Sequence, residues 1–239
     1  GRSSSFRIST SPANYGEAVV LRVLNREKTL LPLKSLGFDA VQLEEITSLI
    51  SAPYGIILIS GPTGSGKTST LYAMLNELDR EESNVLSLED PVEYSIEGVS
   101  QSQVKPEIGY TFASGLRQIL RQDPDVIMVG EVRDIETVQM AANAALTGHL
   151  LLSTFHANDA ATSIPRLLDM GVEPFLIASA VNVSIAQRLV RKVCDKCRSS
   201  YNLDEDEVKK IQNEKILIEK IKLSLDDMLV CLIFNLEGN

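Results

Sequence analysis

Short apolar runs alternate with stretches of helical periodicity along most of the chain. The runs have the length and composition of buried strands, and between them apolar residues recur every three or four positions, as in helices. Such alternation favours a mainly parallel sheet with helices on both faces, so the sequence predicts an α/β fold. Asp39 and Asp134 are predicted helix N-caps. The predicted strands are 55–60, 84–88, 126–129 and 150–154, and the predicted helices are 39–50, 69–80, 112–122, 134–146, 159–170 and 174–189.

Both ends of the chain differ from this pattern. Segments 6–10 and 17–24 are short and separated by Pro12 and Gly16, which is typical of an antiparallel pair. Segment 204–222 is rich in Glu, Asp and Lys with apolar residues near helical spacing, which predicts a solvated amphipathic helix. The chain is therefore predicted to have three regions. These are the C-terminal part of a truncated α+β domain at 1–34, the α/β core at 35–201 and a divergent helical tail at 202–239.

Composition restricts the class of protein. The 239 residues are 44% hydrophobic, which is enough for a sizeable core. A net charge of −9 without a run of Lys and Arg argues against a nucleic-acid-binding surface. The chain has no signal-peptide pattern, no apolar run near about 18 residues and only three cysteines, so we expect a cytoplasmic protein. Because it begins at Gly1 rather than Met, we expect it to be a piece of a longer protein.

The strongest chemical signal is a glycine-rich loop between the strand at 55–60 and the helix after it. The loop matches the phosphate-binding pattern G-x-x-x-x-G-K-[ST] at every fixed position. Its glycines let backbone N–H groups point at an anion, and the N-terminus of the helix adds positive charge. Lys67 is predicted to reach the β- and γ-phosphates of a nucleotide, and the Thr68 hydroxyl to bind Mg²⁺. The predicted binding residues are Gly61, Pro62, Thr63, Gly64, Ser65, Gly66, Lys67, Thr68 and Ser69.

Two acidic clusters follow predicted strands and are candidates for the rest of a nucleoside triphosphate site. Ligands bind at the carboxyl ends of strands in an open parallel sheet, so both clusters are expected beside the phosphate loop. Glu131 follows the strand at 126–129, and an apolar strand that ends in an acid is the Walker B arrangement, which places a carboxylate beside Mg²⁺. In the other cluster, Glu89 and Glu93 could each reach the γ-phosphate side, and spacing alone does not choose between them.

The two histidines, His149 and His156, flank the predicted strand at 150–154. The intervening extended residues separate them by well over about 10 Å, so they are not expected to share a metal. Sensing of the γ-phosphate or a subunit contact fits this placement better. A purely structural role is equally compatible with the spacing.

Five stretches in a fixed order resemble the motifs of the secretion ATPase superfamily, the hexameric motors of type II secretion and type IV pilus assembly. They look like the family's Walker A motif, aspartate box, arginine-bearing helix, Walker B motif and histidine box. The resemblance covers about residues 6–201. It implies a RecA-like P-loop NTPase core preceded by the remnant of a small α+β domain. The matching stretches are 61–68, 88–94, 116–125, 129–134 and 147–156.

The resemblance implies roles for the matching residues. Glu93 would be the catalytic carboxylate that activates water. Glu131 would be the Walker B acid on the Mg²⁺ side, and His149 and His156 would form the histidine-box pair.

The resemblance also implies an assembly. Residues 6–10 and 16–24 look like the end of the family's preceding domain, in which Arg7 and Arg22 would reach the phosphates of a neighbouring subunit. The implied form is a homo-hexamer that acts at the cytoplasmic face of the inner membrane. Its implied partners are inner-membrane platform proteins, through which it would associate peripherally with the membrane.

The pair Cys194 and Cys197 resembles the cysteine motif of the assembly and secretion branch, which retraction motors lack. That branch usually carries two C-x-x-C pairs that bind one Zn²⁺, and tetrahedral Zn²⁺ needs four ligands. The pair supplies two, and the only later cysteine is Cys231. A complete zinc site within the chain is therefore not predicted, and Cys194 and Cys197 are candidates for part of one.

The function expected from these features is an ATP-hydrolysing motor that uses ATP and Mg²⁺ to power type II protein secretion or type IV pilus assembly. A pilus retraction motor of the same superfamily is one alternative. A nucleic-acid translocase is another, which the acidic balance and the lack of basic or aromatic-basic patches disfavour. A nucleotide-binding regulator that does not hydrolyse is a third, which Glu93 and Glu131 disfavour.

Overall fold

The antiparallel pair predicted near the start of the chain is present. In the structure, a computed structural model, the described residues are 5–24, 31–157, 159–190, 196, 206, 208–210 and 229–236. Strands β1 (Ser5–Ala13) and β2 (Gly16–Leu24) pair antiparallel in a two-stranded sheet. Arg7 and Arg22 face each other in its register. Both predicted arginines therefore lie at the same level of one ribbon.

A second, seven-stranded sheet forms the centre of the fold, and each strand is parallel to its neighbours. All four predicted strands are in it, each within one residue of the predicted bounds. Its strands are β3 (Gly55–Ser60), β4 (Val85–Glu89), β5 (Val99–Gln103), β6 (Val126–Val129), β7 (Leu150–Phe155), β8 (Val181–Val190) and β9 (Leu229–Leu236). Across the sheet the order is β5-β4-β6-β7-β3-β8-β9.

Helices cover this sheet, and none of the described ones is long and apolar enough to cross a membrane. Both predicted N-caps are confirmed. The Asp39 carboxylate accepts a hydrogen bond from the Gln42 N–H at 2.8 Å, and the Asp134 carboxylate accepts one from the Thr137 N–H at 2.8 Å. The helices are α1 (Ala40–Ile50), α2 (Lys67–Glu77), α3 (Phe112–Ile119), α4 (Ile135–Leu146), α5 (Ala160–Asp169) and α6 (Pro174–Ala180).

The side chains of the central strand β3 point alternately to the two faces of the sheet, and each face has its own hydrophobic cluster. Ile56 and Leu58 pack with buried residues of α3, α4, α5 and α6. Ile57 and Ile59 pack with buried residues of α1 and α2. Every residue of β3 is buried, as expected of a strand covered on both sides. The predicted α/β architecture with helices on both faces is confirmed.

The helix predicted at 174–189 is wrong in its second half. Helix α6 ends at Ala180, and the chain continues directly as strand β8 beside β3. The apolar residues Val181, Val183 and Ile185 alternate with polar ones, and their β-branched side chains favour extended backbone. Pairing with β3 also satisfies backbone groups that would otherwise be buried without partners.

Two further strands were not predicted. Strand β5 is polar, because it lies at the edge of the sheet and only one side of it pairs. Strand β9 pairs parallel with β8, so the prediction of a helical tail is wrong for Leu229–Leu236. Most of the helix predicted at 204–222 lies outside the described residues, although 206 and 208–210 are helical. The predicted boundaries between the three regions stay predictions.

Truncation of a central core side chain should destabilise the fold strongly. Leu152 of β7 is fully buried, whereas Leu168 of α5 is 40% exposed. We expect Leu152→Ala to lower the free energy of unfolding by about 2–5 kcal/mol, since it removes buried methyl groups and leaves a cavity. Leu168→Ala, the control, should cost less than about 1 kcal/mol. Reversible denaturation measures both, and equal losses would contradict the central position of β7.

Candidate active site

The strongest candidate residues meet at one edge of the sheet because adjacent strands end there in register. Ser60 of β3 pairs with Phe155 of β7, so the start of the phosphate loop lies beside His156, the residue that follows β7. Leu88 of β4 pairs with Val129 of β6, so the two acidic segments also leave the sheet together. These four strands are consecutive neighbours in the sheet. The expected convergence of loop and acids is therefore present.

The phosphate loop, residues 61–68, depends on left-handed backbone at its glycines. Gly66 has φ +85° and forms the N-cap of α2, which begins at Lys67. Gly61 has φ +145°, and a Cβ there would lie 2.3 Å from the Gln187 carbonyl oxygen. Only glycine fits the position of Gly61, since any side chain would clash with the backbone of β8. The loop is thus pressed against the strand beside it.

Lys67 lies across this loop. Its Nζ donates hydrogen bonds to the carbonyl oxygens of Gly61 at 2.8 Å and Pro62 at 3.1 Å. Burial lowers the pKa of Lys67 from its ordinary value, and the negative charge of Glu131 opposes that shift. The ammonium is therefore held within the electrostatic reach of the second acidic segment. Thr68 and Ser69, the next residues of α2, are exposed to solvent.

Buried polar groups support the loop from behind. The Thr70 hydroxyl donates a hydrogen bond to Gln187 Oε1 at 2.8 Å, and both residues are buried. In the described part of the chain, Ser65 Oγ and Gln187 Nε2 are buried and make no hydrogen bond. Unsatisfied buried donors are costly and uncommon in native proteins. Here they border a loop whose backbone is shaped for an anion.

Glu131 is held by two cationic or potentially cationic side chains. Its carboxylate lies 2.6 Å from Arg133 Nη2 and 3.2 Å from His156 Nε2. The Glu131 side chain is 12% exposed, whereas the Arg133 side chain is 63% exposed and that of His156 is partly exposed. The Glu131 carboxylate is therefore fixed by these two contacts and mostly shielded from solvent, and its two partners are more accessible than it is.

The structure places Glu89 and Glu93 in different environments, which spacing did not predict. The Glu89 carboxylate is 2% exposed and accepts hydrogen bonds from Tyr72, Ser87 and Gln101. Glu93 is exposed on the segment that follows β4. A carboxylate that must meet water and phosphate needs access, so the arrangement favours Glu93 as the reactive acid and leaves Glu89 as a buried anchor.

The two histidines lie at opposite ends of β7. His149 precedes β7, and its carbonyl accepts a hydrogen bond from the Gly55 N–H at the start of β3. Its Nδ1 lies 2.9 Å from the Ala144 carbonyl oxygen, near the end of α4. The structure thus brings His156 to the site but leaves His149 at the far edge of the sheet. His149 and His156 are separated by the whole length of β7, so the two histidines cannot act together on one phosphate group.

The remaining predicted residues are placed only in part. The backbones of Arg7 and Arg22 pair in the β1–β2 ribbon, and their contact with a neighbouring subunit stays a prediction. Cys194 and Cys197 lie outside the described residues.

Several residues of the site were missed in the sequence, among them Tyr72, Gln101, Arg133 and Gln187. Tyr72 is the polar member of an apolar helix face, which usually indicates only core packing. Gln101 and Gln187 lie in the strand that was not predicted and in the segment that was predicted helical. The roles of Tyr72, Gln101 and Gln187 depend on contacts with residues distant in the chain, which leave no pattern in the sequence.

Comparison with curated proteins gives close relatives. The chain is 52% identical over 215 residues to the type II secretion system ATPase E of Vibrio cholerae, covering 90% of this chain and 43% of that protein. It is 54% identical over 198 residues to the type II secretion system protein HxcR of Pseudomonas aeruginosa, covering 83% and 42%. The chain thus spans less than half the length of these relatives.

Solved structures share the fold. The pilus retraction motor PilT with bound ADP has a TM-score of 0.69 at 30% identity, covering 91% of this chain and 66% of that one. The ATPase DotB of Legionella pneumophila has a TM-score of 0.68 at 28% identity, covering 80% and 55%. The α/β core is therefore a P-loop NTPase fold. The profile of the type II/IV secretion system protein family matches residues 1–222, and the chain belongs to that family.

Proposed function

We propose that the chain is the catalytic core of an ATP-hydrolysing motor for type II protein secretion. The observation that carries the proposal is the meeting of Lys67, Glu131 and the Glu93 segment at one edge of the sheet. This edge combines a cation for phosphate with one held and one accessible carboxylate. A nucleoside triphosphatase needs these three groups at one place.

The phosphate loop fits the phosphates of ATP. Its left-handed glycines, the N-terminus of α2 and the unsatisfied Ser65 hydroxyl form a region of hydrogen-bond donors. Lys67 would exchange its two carbonyl contacts for the β- and γ-phosphates, which are stronger acceptors because they are charged. These groups fit any nucleoside triphosphate, and the similarity to a type II secretion system ATPase makes ATP the expected substrate.

The same region fits Mg²⁺. The exposed Thr68 hydroxyl and the Glu131 carboxylate are the oxygen ligands that this ion prefers, with phosphate oxygens as further ligands. When bound, the ion neutralises charge that develops on the phosphates. Arg133 and His156 keep Glu131 oriented, and both are accessible enough to contact the γ-phosphate.

Glu93 is the proposed general base. It is exposed, so water can reach it, and a carboxylate there can orient and deprotonate the attacking water. The burial of Glu89 and its three hydrogen-bond donors argue against this role for Glu89.

The assembly that we propose is a homo-hexameric ring at the cytoplasmic face of the inner membrane. Arg7 and Arg22 would complete the site of a neighbouring subunit, which is supported by their facing positions in the exposed β1–β2 ribbon. Inner-membrane platform proteins would be the partners. Identities of 52% and 54% to type II secretion proteins favour secretion over pilus retraction, since PilT is 30% identical.

Removal of the loop cation should strongly weaken nucleotide binding. Lys67→Ala removes about two charge-assisted hydrogen bonds of about 1.5–3 kcal/mol each, so we expect ATP affinity to fall roughly 100-fold or more. Titration with a fluorescent ATP analogue measures this. Lys105→Ala removes an exposed lysine far along the chain from the loop and serves as the control. Equal affinities for the two variants would contradict the placement of Lys67.

Neutralisation of the proposed base should separate binding from turnover. Glu93→Gln keeps the size of the side chain but cannot accept a proton, so we expect ATP hydrolysis to fall by about 10²–10⁴-fold while ATP affinity is unchanged. Glu97→Gln, a change at another exposed glutamate of the same segment, should hydrolyse ATP normally. Steady-state phosphate release in the full natural chain measures turnover. A wild-type rate of ATP hydrolysis in Glu93→Gln would refute the proposal that Glu93 is the general base.

A further inference from the structure

The proposed base lies on a segment without helix or strand. Residues 90–98, here the Glu93 segment, connect β4 to β5. General-base catalysis requires the base within hydrogen-bond reach of the attacking water, and a displacement of about 1 Å can cost about 100-fold in rate. Something other than backbone ladders must therefore hold this segment.

Two side chains from outside the segment hold its backbone. The Tyr72 hydroxyl of α2 accepts a hydrogen bond from the Glu93 N–H at 3.3 Å. Gln101 of β5 donates to the Tyr94 carbonyl oxygen at 3.3 Å and accepts from the Ile96 N–H at 2.7 Å. The backbone is thus fixed at Glu93 itself and at two positions just after it.

Tyr72 and Gln101 both donate hydrogen bonds to the same buried carboxylate, that of Glu89. Tyr72 donates its hydroxyl proton to Glu89 Oε2, and Gln101 Nε2 donates to Glu89 Oε1 at 2.9 Å. The Ser87 hydroxyl donates to Glu89 Oε1 at 2.6 Å. Glu89 therefore orients Tyr72 and Gln101, and they orient the Glu93 segment. A buried carboxylate is costly unless it is hydrogen-bonded, so such an arrangement needs all of its donors.

The chemistry of Tyr72 suits this position. A neutral phenol can donate to Glu89 and accept from the Glu93 N–H at the same time, whereas a phenolate could only accept. Burial, with the adjacent Glu89 carboxylate, raises the pKa of Tyr72 above its usual range, so the phenol stays protonated. Its ring packs edge-to-face against Tyr94, with centroids 4.5 Å apart, which restricts it further.

Tyr72 also belongs to the helix that carries the phosphate-binding lysine. Helix α2 begins at Lys67, and Tyr72 lies in its second turn, fully buried in the core. A rigid helix therefore joins the group that binds phosphate to the group that holds the base.

We propose that Tyr72, Glu89 and Gln101 are positioning residues for the hydrolysis of ATP, which set the place of Glu93 relative to the phosphate loop. The proposal rests on the proposed function and adds to it a link between α2 and the base. None of the three touches the reacting atoms. They act through the backbone of the Glu93 segment.

The test is Tyr72→Phe in the full natural chain. This change keeps the ring and its packing but removes the hydroxyl that connects Glu89 to the Glu93 N–H. We expect kcat to fall about 10- to 100-fold, while the KM for ATP and the affinity for a fluorescent ATP analogue change less than about twofold because Lys67 is untouched. Hydrogen exchange at the Glu93 amide should become faster, which reports positioning independently of activity.

Further variants test whether the loss of kcat passes through Glu89 and Glu93. Tyr54→Phe removes the hydroxyl of an exposed tyrosine that precedes β3, at the opposite edge of the sheet, and it should retain wild-type kcat. Glu89→Gln should reproduce the lower kcat and the faster exchange, and it carries the test if Tyr72→Phe fails to fold. In a Glu93→Gln background, Tyr72→Phe should lower the residual rate no further, since its effect passes through Glu93.

The outcomes separate this proposal from the proposed function. Wild-type kcat and wild-type amide exchange in Tyr72→Phe overturn the positioning role, while a Glu93→Gln chain without turnover still supports the function. An equal loss in Tyr54→Phe, or an equal further loss in the Glu93→Gln background, also overturns it. If the wild-type chain hydrolyses no ATP, the proposed function is wrong. The positioning role is then tested by hydrogen exchange alone, and a wild-type exchange rate of the Glu93 amide in Tyr72→Phe would reject it.

Discussion

Parallel pairing of β4, β6, β7 and β3 is the constraint on which the site depends. Hydrogen bonds between neighbouring backbones set the register, and the register makes these strands end at one edge. The groups that follow each strand therefore meet although they are far apart in the chain. His149 shows the converse, since it precedes β7 and lies at the opposite edge. Strand direction thus decides which polar residues can take part.

Buried polar groups make the edge specific. Glu89 is buried with a donor from α2, one from β5 and one from its own strand. Behind the phosphate loop, Gln187 accepts from Thr70 and leaves its amide nitrogen unsatisfied. Such groups cost stability compared with apolar packing, and proteins retain such costs mainly at functional sites. The two hydrophobic clusters on either face of β3 supply stability that offsets the cost of these buried polar groups.

Much of the fold could be predicted because local signals agreed with the final environment. The four predicted strands are apolar on both faces, and Asp39 and Asp134 cap their helices through contacts three residues away. The failures occurred where the environment overrides local pattern. Strand β5 is polar because it lies at the edge of the sheet. Strand β8 was predicted to be helical because its pairing with β3 cannot be read from local spacing.

The sequence alone determined the phosphate loop, its strand and helix, and the identity of the acids, because glycine conformations, capping and apolar spacing act over a few residues. Only the tertiary structure decided the environment of each acid. Glu89 and Glu93 are four positions apart, yet one is buried under three donors and the other is exposed. That difference comes from Tyr72 and Gln101, which approach from other elements. Contacts between residues distant in the chain leave no local pattern, so tertiary packing, rather than spacing, decides which acid is accessible.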